Sequence, residues 1–148
     1  METLHNHWRN ISSTALLVPG IVASIAWQPF SKKIAQKARL LSPDLIEADD
    51  SVDRFIIEMN YSFVPQTLYE QMAATMEATY TGVRNRVLAW QANGTLPQAY
   101  LPLFMNYGFF RQDYFGRLKP ENRALARRVS EQVDPRGLFR DRTGGWKP

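Results

Sequence analysis

Residues 54–63 read RFIIEMNYSF, and they form the clearest β-strand pattern in the chain. Every second position carries a large, mostly apolar side chain: Phe55, Ile57, Met59, Tyr61 and Phe63. The positions between them are mainly polar: Ile56, Glu58, Asn60 and Ser62. Because side chains alternate between the two faces of a strand, the first set is predicted to face a packed layer. The second set is then either exposed to water or part of a site.

A second strand and a short helix are predicted before this segment. Alternating apolar residues indicate a strand that stops at Gln28–Pro29: Ile21, Ala23, Ile25 and Trp27. Ser31 is a candidate N-cap for an amphipathic helix over residues 31–41, SKKIAQKARLL. The apolar face of this helix is predicted to consist of Ile34, Ala38 and Leu41. Residues 42–53, SPDLIEADDSVD, are acidic and rich in turn formers, so they predict a loop.

A long helix is predicted after the central strand. Pro65 suits its first helical position. Apolar residues then recur at three- and four-residue steps: Leu68, Met72, Met76, Val83, Val87 and Trp90. Asn93–Gly94 is typical of a helix C-terminus. At 1.5 Å per residue, this helix would be roughly 40 Å long.

The C-terminal part is predicted to contain one more extended segment and one more helix. The apolar stretch AYLPLFMNYGFF, residues 99–110, indicates extended chain, and Pro102 favours an edge strand or an irregular one. The helix is predicted to begin at Pro120–Glu121 and to end at Asp134–Pro135, because the residue before a proline avoids helical conformation. Its buried side is predicted to carry Leu125, Val129 and Val133.

The order strand, helix, strand, long helix, strand, helix predicts an α+β fold. Helices are expected to cover one face of an antiparallel sheet and to leave the other face as a pocket or dimer interface. A length of 148 residues fits a single domain over residues 1–148. Residues 1–14 are polar and are expected to be loosely ordered.

Composition excludes several kinds of chemistry. The chain has no cysteine, which removes disulfides, thiolate catalysis and cysteine-ligated metals. His5 and His7 lie close together without a third ligand, so no metal site is predicted. The net charge of +4 comes partly from a C-terminal basic cluster, interpreted as a solvated helix face rather than a nucleic-acid surface. The apolar run over residues 15–27 is interrupted by Pro19–Gly20 and is too short to span a bilayer, so a cytoplasmic protein without a signal peptide is expected.

Five short motifs occur in order near the C-terminus. They are FMNY at residues 104–107, Gln112–Asp113, Glu121–Asn122, Asp134–Pro135 with Phe139, and GGWK at residues 144–147. Together they resemble the C-terminal end of FAD-linked oxidases of the vanillyl-alcohol-oxidase and berberine-bridge-enzyme type. WQPF at residues 27–30, and the strand followed by a long helix, look like the end of the same family's substrate domain. In the tail, Gly144–Gly145 permits a tight backbone path, and Trp146 is predicted to fill an apolar slot.

The resemblance implies the substrate domain of such an enzyme without its FAD-binding region. The family holds FAD with glycine-rich loops in a long N-terminal region, whereas the eight glycines here form no cluster that would cradle a phosphate. Phe104 also stands where the family often carries a tyrosine, which removes a titratable hydroxyl. We therefore expect that the chain binds no FAD and uses no other cofactor.

The absence of a flavin region would uncover the polar side of the central strand and the segment near residue 104. The candidate catalytic residues are Glu58 and Asn106. The candidate substrate-binding residues are Asn60, Ser62, Phe104, Tyr107, Arg111 and Trp27. Simpler roles compete with these. Glu58 is otherwise a surface carboxylate paired with Lys or Arg, Asn106 an amide that caps a turn, and Tyr107 and Arg111 structural side chains.

Three functions remain open from the sequence. The first is a cofactor-independent cyclase or isomerase, pericyclase-like, for example in Diels–Alder-type ring formation. It would hold a small hydrophobic natural-product intermediate of secondary metabolism in a reactive conformation. The second is a non-catalytic accessory or pseudo-subunit that partners a flavin-dependent oxidase, and the third is a folded truncation product without activity. A homodimer is expected in the first two cases, because a sheet with one bare face buries little surface.

Overall fold

The chain forms two compact units in the computed structural model, which describes residues 1–41 and 44–148. The first unit consists of residues 1–30 and 55–99, and the second of residues 31–54 and 100–148. The helices and strands are α1 (Glu2–Ala15), β1 (Val22–Phe30), α2 (Lys32–Leu41), β2 (Arg54–Ser62), α3 (Tyr69–Ala92), α4 (Pro120–Val133) and α5 (Leu138–Arg142). Short 3₁₀ turns lie at Gln66–Leu68, Met105–Tyr107 and Phe115–Arg117. A single domain over residues 1–148 stays a prediction.

The two strands pair into an antiparallel sheet, and the predicted α+β class is confirmed. β2 follows the predicted segment, and its alternation is clearest near its end, where Tyr61 is 9% exposed between the exposed Asn60 and Ser62. At the other end of the strand, Phe55 is 49% exposed. The packed layer therefore covers the C-terminal part of β2 better than its beginning.

Two contacts between β1 and β2 fix which residues share a face. The rings of Trp27 and Phe55 meet edge to face, with centroids 6.5 Å apart. Gln28 Nε2 donates a hydrogen bond to Glu58 Oε2 at 3.1 Å. Because neighbouring residues of a strand point to opposite faces, Trp27 and Glu58 lie on opposite faces of the sheet.

Residues 1–14 are not a loose segment, as the sequence suggested, but most of helix α1. This helix packs on α3: the His7 ring lies against Gly82, and His7 Nε2 donates to the Thr79 carbonyl oxygen at 3.2 Å. A side chain at position 82 would occupy the space of the imidazole. Besides Leu4, α1 buries only the small side chains of Ser12 and Ala15 rather than a wide apolar stripe, which explains why its composition resembles that of a disordered segment.

A chain of three hydroxyl groups joins α1, β2 and α3. Ser12 Oγ lies 2.7 Å from Tyr61 Oη, which lies 3.1 Å from Thr79 Oγ1. Thr79 Oγ1 donates its proton to the Thr75 carbonyl oxygen at 2.7 Å. The Tyr61 hydroxyl must therefore donate to Thr79, and Ser12 must donate to Tyr61. Each hydroxyl proton in the chain has an acceptor, as buried polar groups require.

Helix α3 begins later than predicted and ends where predicted. Pro65 is extended, with ψ of 122°, and a 3₁₀ turn separates it from the first residue of α3, Tyr69. Met72 is 2% exposed and Val83 is 7% exposed, which confirms both as core residues. The helix gives way to a turn at Asn93 and to Gly94, which has a φ of +78° that favours glycine.

Helix α2 buries a different face from the predicted one. Ala35 is 3% exposed, whereas Ile34 is 49% and Leu41 is 88% exposed. Ser31 shares the capping of this helix with Asp53, whose Oδ1 accepts the Lys32 N–H at 2.8 Å. The predicted loop is confirmed over residues 44–53, and residues 42 and 43 lie outside the described part of the chain.

The extended segment predicted over residues 99–110 is irregular, with a 3₁₀ turn at Met105–Tyr107. Its carbonyl groups bind guanidinium groups instead of a neighbouring strand. Arg117 donates to the Leu101 carbonyl oxygen from Nε at 3.2 Å and from a terminal nitrogen at 2.8 Å. Arg54 donates to the Tyr100 carbonyl oxygen at 3.4 Å. Pro102 supplies no N–H to a ladder, and of the two predicted forms the segment takes the irregular one rather than that of an edge strand.

Helix α4 has the predicted limits but not the predicted buried side. Leu125 is 41% exposed, Val129 44% and Val133 72%. The residue that α4 buries is Asn122, which is 8% exposed and donates to the Leu45 carbonyl oxygen at 2.9 Å. The core of this unit lies instead at Leu103, Tyr114 and Leu118, with Leu45, Phe115 and Trp146 packed against it.

A short helix that the sequence did not indicate follows α4. The Asp134 carboxylate ends α4 and caps α5, because it accepts the N–H groups of Leu138 at 2.7 Å and of Phe139 at 2.8 Å. Gly137, with a φ of +68°, makes the bend between the two helices. Within the described residues, no helix has the length and apolar character needed to cross a membrane.

Candidate functional site

Glu58 lies on the sheet face that carries the polar residues of β2. Its carboxylate accepts a hydrogen bond from Gln28 and is partly buried. Asn60 and Ser62 follow on the same face and are exposed, with Ser62 Oγ 3.4 Å from Asn60 Oδ1. The partner of Glu58 is thus a neutral amide rather than the Lys or Arg of a surface ion pair. A neutral donor orients a carboxylate without neutralising its charge.

Trp27 does not share this face. The indole packs against Phe55 on the opposite side of the sheet. The alternation along β1 already implies this arrangement, because Gln28, the next residue, contacts Glu58. Phe55 is nevertheless 49% exposed, and a substrate-binding role for Trp27 stays a prediction.

The second group of candidate residues lies on the 3₁₀ turn of the other unit. The turn is closed by backbone hydrogen bonds of 3.1 Å from Tyr107 N to the Phe104 carbonyl oxygen and from Gly108 N to that of Met105. The rings of Phe104 and Tyr107 lie 5.3 Å apart. Asn106 is exposed at the middle of the turn and does not cap it, because no side chain makes a capping bond there.

Arg111 follows the turn and contacts an aromatic neighbour. Its guanidinium carbon lies 5.5 Å from the centroid of the Phe110 ring, within range of a cation–π interaction. Phe110 in turn meets Phe109, with centroids 4.8 Å apart. Arg111 thus lies over an aromatic surface.

The candidate residues therefore form two clusters, one in each unit. Glu58, Asn60 and Ser62 share the polar sheet face of the first unit. Phe104, Asn106, Tyr107 and Arg111 share the turn region of the second unit. A single site that includes both clusters stays a prediction.

A cavity of about 690 Å³ in the second unit contains none of the candidate residues. We call it the α4 groove; its walls include Leu125, Val129, Phe139 and Trp146. Its volume lies in the range of small-molecule pockets, roughly 300–1,000 Å³. The signal for the groove was present in the sequence as apolar residues four positions apart on α4, but that spacing also predicts a buried helix face.

The pKa values of three titratable groups near the core of the second unit are shifted in directions that do not favour proton transfer near neutral pH. Lys119 Nζ lies 2.7 Å from Glu47 Oε2 and lowers the pKa of that carboxyl. Burial raises the pKa of the Tyr100 and Tyr114 hydroxyls above the ordinary value for tyrosine. A phenol with a raised pKa stays protonated near neutral pH, and a carboxyl with a lowered pKa stays ionised. These side chains therefore have structural roles.

The glycines of the chain do not form a cradle for a dinucleotide. The glycines with positive φ lie apart in the sequence, at turns: Gly20, Gly94, Gly137 and Gly145. Gly108 and Gly116 are approached closely by the chain's own side chains, Trp146 and Asp113. The described residues therefore offer no glycine-lined cradle for a phosphate. They also contain no cluster of three or more His, Asp or Glu side chains arranged to hold a metal ion.

Comparison with known proteins finds one relation that spans nearly the whole chain. The chain is 30% identical over 143 residues to an uncharacterized FAD-linked oxidoreductase of the fungus Arthroderma benhamiae. The match covers 96% of the chain but only 29% of that relative. No protein-family profile matches the chain, and no solved structure matches it. The resemblance carried by the tail motifs is confirmed: the chain is similar to one part of a FAD-linked oxidoreductase.

Proposed function

We propose that this chain forms the substrate-side portion of a FAD-linked oxidoreductase and works with a flavin-binding region outside residues 1–148. The observation that carries the proposal is the unequal match, 96% of the chain against 29% of the relative. The lack of a phosphate cradle in the described residues agrees with it. The portion present here would bind and orient a substrate, while the redox chemistry belongs to the flavin region.

The two clusters supply what such a portion requires. The Glu58 carboxylate, oriented by Gln28, offers a fixed acceptor for a substrate hydroxyl or amine. The exposed turn offers the Asn106 amide beside the aromatic surface of Phe104 and Tyr107. Polar groups beside aromatic rings favour a small hydrophobic substrate with one or two hydrogen-bonding groups. A cytoplasmic location is part of this proposal.

Transplantation into the fungal relative tests the proposal. The matched stretch of the Arthroderma benhamiae oxidoreductase is replaced by this chain, and the chimera is compared with the intact relative and with the relative lacking the stretch. We expect the chimera to be folded and to show flavin absorbance, and the deletion protein to lose it. A chimera that behaves like the deletion protein would overturn the proposal, as would stoichiometric flavin on the isolated chain.

A cofactor-independent cyclase or isomerase is a second candidate, and the environment of Glu58 favours it. The Gln28 amide holds the Glu58 carboxylate in a defined orientation, which a ring closure assisted by a positioned polar group would use. This candidate requires a closed pocket, and pairing of two copies would supply one. The two-stranded sheet has unpaired outer edges in the described residues, and sheets of this size are only marginally stable alone.

Native mass spectrometry of the purified chain, combined with a visible absorbance scan, separates the two candidates. A colourless homodimer that retains a small hydrophobic molecule supports the cyclase. A colourless monomer that associates with the flavin-binding part of the relative supports the substrate-side portion. The Glu58→Gln variant tests the role of the Glu58 carboxylate, because it keeps the shape of the side chain and removes its charge.

A further inference from the structure

The 3₁₀ turn at Met105–Tyr107 is exposed at its tip but fixed at both ends. Met105 and Tyr107 are each 45% exposed. Before the turn, Leu103 is 9% exposed and belongs to the core of the second unit. After the turn, Gly108 lies directly against the indole of Trp146. The position of the turn therefore depends on these two anchors.

Trp146 makes three kinds of contact at the second anchor. Its Nε1 donates to the Gln112 carbonyl oxygen at 2.7 Å. Its ring stacks on Tyr114, with centroids 5.4 Å apart and an angle of 29° between the planes. Its outer edge meets Gly108 so closely that a Cβ atom there would overlap the ring. Because Tyr114 is 2% exposed, the indole is attached to a rigid part of the core.

Gln112 connects Trp146 to the segment that follows the turn. Its side-chain oxygen accepts the Phe109 N–H at 2.8 Å, and its own N–H donates to the Phe109 carbonyl oxygen at 2.8 Å. The Gln112 carbonyl oxygen, which Trp146 binds, also accepts the N–H of Tyr114 at 3.1 Å. Loss of the indole would thus remove one of the two donors to this carbonyl oxygen at the point where the short loop closes.

The tail around Trp146 is itself held in place. Gly145 has a φ of +89°, a conformation that favours glycine and bends the chain just before the indole. After the indole, Lys147 Nζ binds the Phe139 carbonyl oxygen and Thr143 Oγ1 at 2.8 Å, and the Gly144 carbonyl oxygen at 3.0 Å. The chain is thus fixed both before the indole, at Gly145, and after it, at Lys147.

We propose that Trp146 is a positioning residue that holds the Met105–Tyr107 turn in place through Gly108 and Gln112. The tail acts as a clamp on this turn. Its effect on the position of the turn follows from the second unit alone. Its effect on substrate contacts of Asn106 rests on the proposed function.

Site-resolved hydrogen exchange on the full chain tests the clamp. In Trp146→Ala, amides of residues 107–112 should exchange about tenfold to a hundredfold faster, from the lost hydrogen bond and aromatic stack. Amides of α3 should exchange at the rate of the unmodified chain. Trp146→Phe keeps a ring without the N–H donor and should restore part of the protection. Unchanged exchange at residues 107–112 in Trp146→Ala, or equal acceleration throughout the chain, would overturn the proposal.

The contact with Gly108 provides a matched double-mutant test. Gly108→Ala should accelerate exchange at residues 107–112 by about tenfold alone, because the new methyl group meets the indole. In the Trp146→Ala background the methyl group has space, and the same change should have an effect of less than about twofold. Equal effects in both backgrounds would contradict the clamp.

A chimera without flavin, combined with these exchange results, would reject the proposed function and leave the clamp intact.

Discussion

Tyr61→Phe removes a single oxygen atom from the chain of hydroxyl groups that joins α1, β2 and α3. The Tyr61 hydroxyl accepts from Ser12 at 2.7 Å and donates to Thr79 at 3.1 Å. Ser12 and Thr79 are both 0% exposed, so water cannot take the place of the missing group without rearrangement. The substitution keeps the ring and its packing, which isolates the contribution of the hydrogen bonds.

The magnitude follows from what each neighbour loses. Two hydrogen bonds disappear, each with a net contribution of about 1 kcal/mol. Thr79 keeps its bond to the Thr75 carbonyl oxygen, so its donor remains satisfied. The Ser12 hydroxyl loses its acceptor in a buried position, which adds a desolvation cost of about 1–3 kcal/mol, partly relieved by relaxation. We expect Tyr61→Phe to lower the free energy of unfolding by about 2–4 kcal/mol, a large share of the stability of a typical domain.

Urea unfolding followed by far-ultraviolet circular dichroism measures this change, and Ser12→Ala is the matched partner. Ser12→Ala alone should cost about 1 kcal/mol. The double variant should lose about 1–2 kcal/mol less unfolding free energy than the two single variants lose together, because no donor is then left without an acceptor.

The outcome that would refute the reasoning is specific. If Tyr61→Phe unfolds at the same urea concentration as the unmodified chain, the hydroxyl chain does not stabilise the packing of α1. If the two single effects add without coupling, Ser12 and Tyr61 do not form the bond described above.

Three further predictions concern the second unit. Because Lys119 lowers the pKa of Glu47, the ion pair stabilises the fold above the unfolded carboxyl pKa of about 4.3 and loses this effect as the pH falls through the folded pKa. Lys119→Met should therefore flatten the pH dependence of thermal unfolding in that acidic range and leave its slope near pH 7 unchanged. Asn122→Ala should lower the free energy of unfolding by about 1–3 kcal/mol, because the Leu45 carbonyl oxygen loses its donor; calorimetry checks this, and a value near zero would show that water replaces the amide. Asp134→Ala should cost about 1 kcal/mol and should selectively increase amide exchange in α5, whereas unchanged exchange there would contradict its role as a cap.

The elements that sequence reasoning located correctly are those specified by their own residues. The period of two in residues 54–63 predicted β2, and the Asp134–Pro135 pair predicted the end of α4. The glycine at position 94 similarly predicted the end of α3. In each case the information lies within a few residues of the element, so no distant contact was needed to find it.

The elements that sequence reasoning missed depend on distant partners. α1 is stabilised by contacts of Ser12 and His7 with residues of β2 and α3, and nothing within residues 1–14 indicates those partners. The segment around Leu101 is apolar enough for a strand, but Arg117 binds its carbonyl oxygen. Local pattern therefore gives the wrong structure wherever a remote side chain satisfies the backbone.

The candidate site shows the same division. The polar face of β2 identified Glu58, but no spacing rule identified Gln28 as its hydrogen-bond donor, because the partner lies on another strand. The resemblance to FAD-linked oxidases directed attention to Asn106, whereas the anchoring of its turn by Trp146 appears only when Gly108 and the tail meet in the structure.

The guanidinium contacts of Arg117 also set an order of events during folding. The Leu101 carbonyl oxygen finds its donor 16 residues later in the chain, and the arginine belongs to a turn that packs beside Tyr114 and Leu118. Closing such a loop costs conformational entropy before its contacts form. A refolding chain should therefore recover its helical signal before the segment around Leu101 becomes ordered.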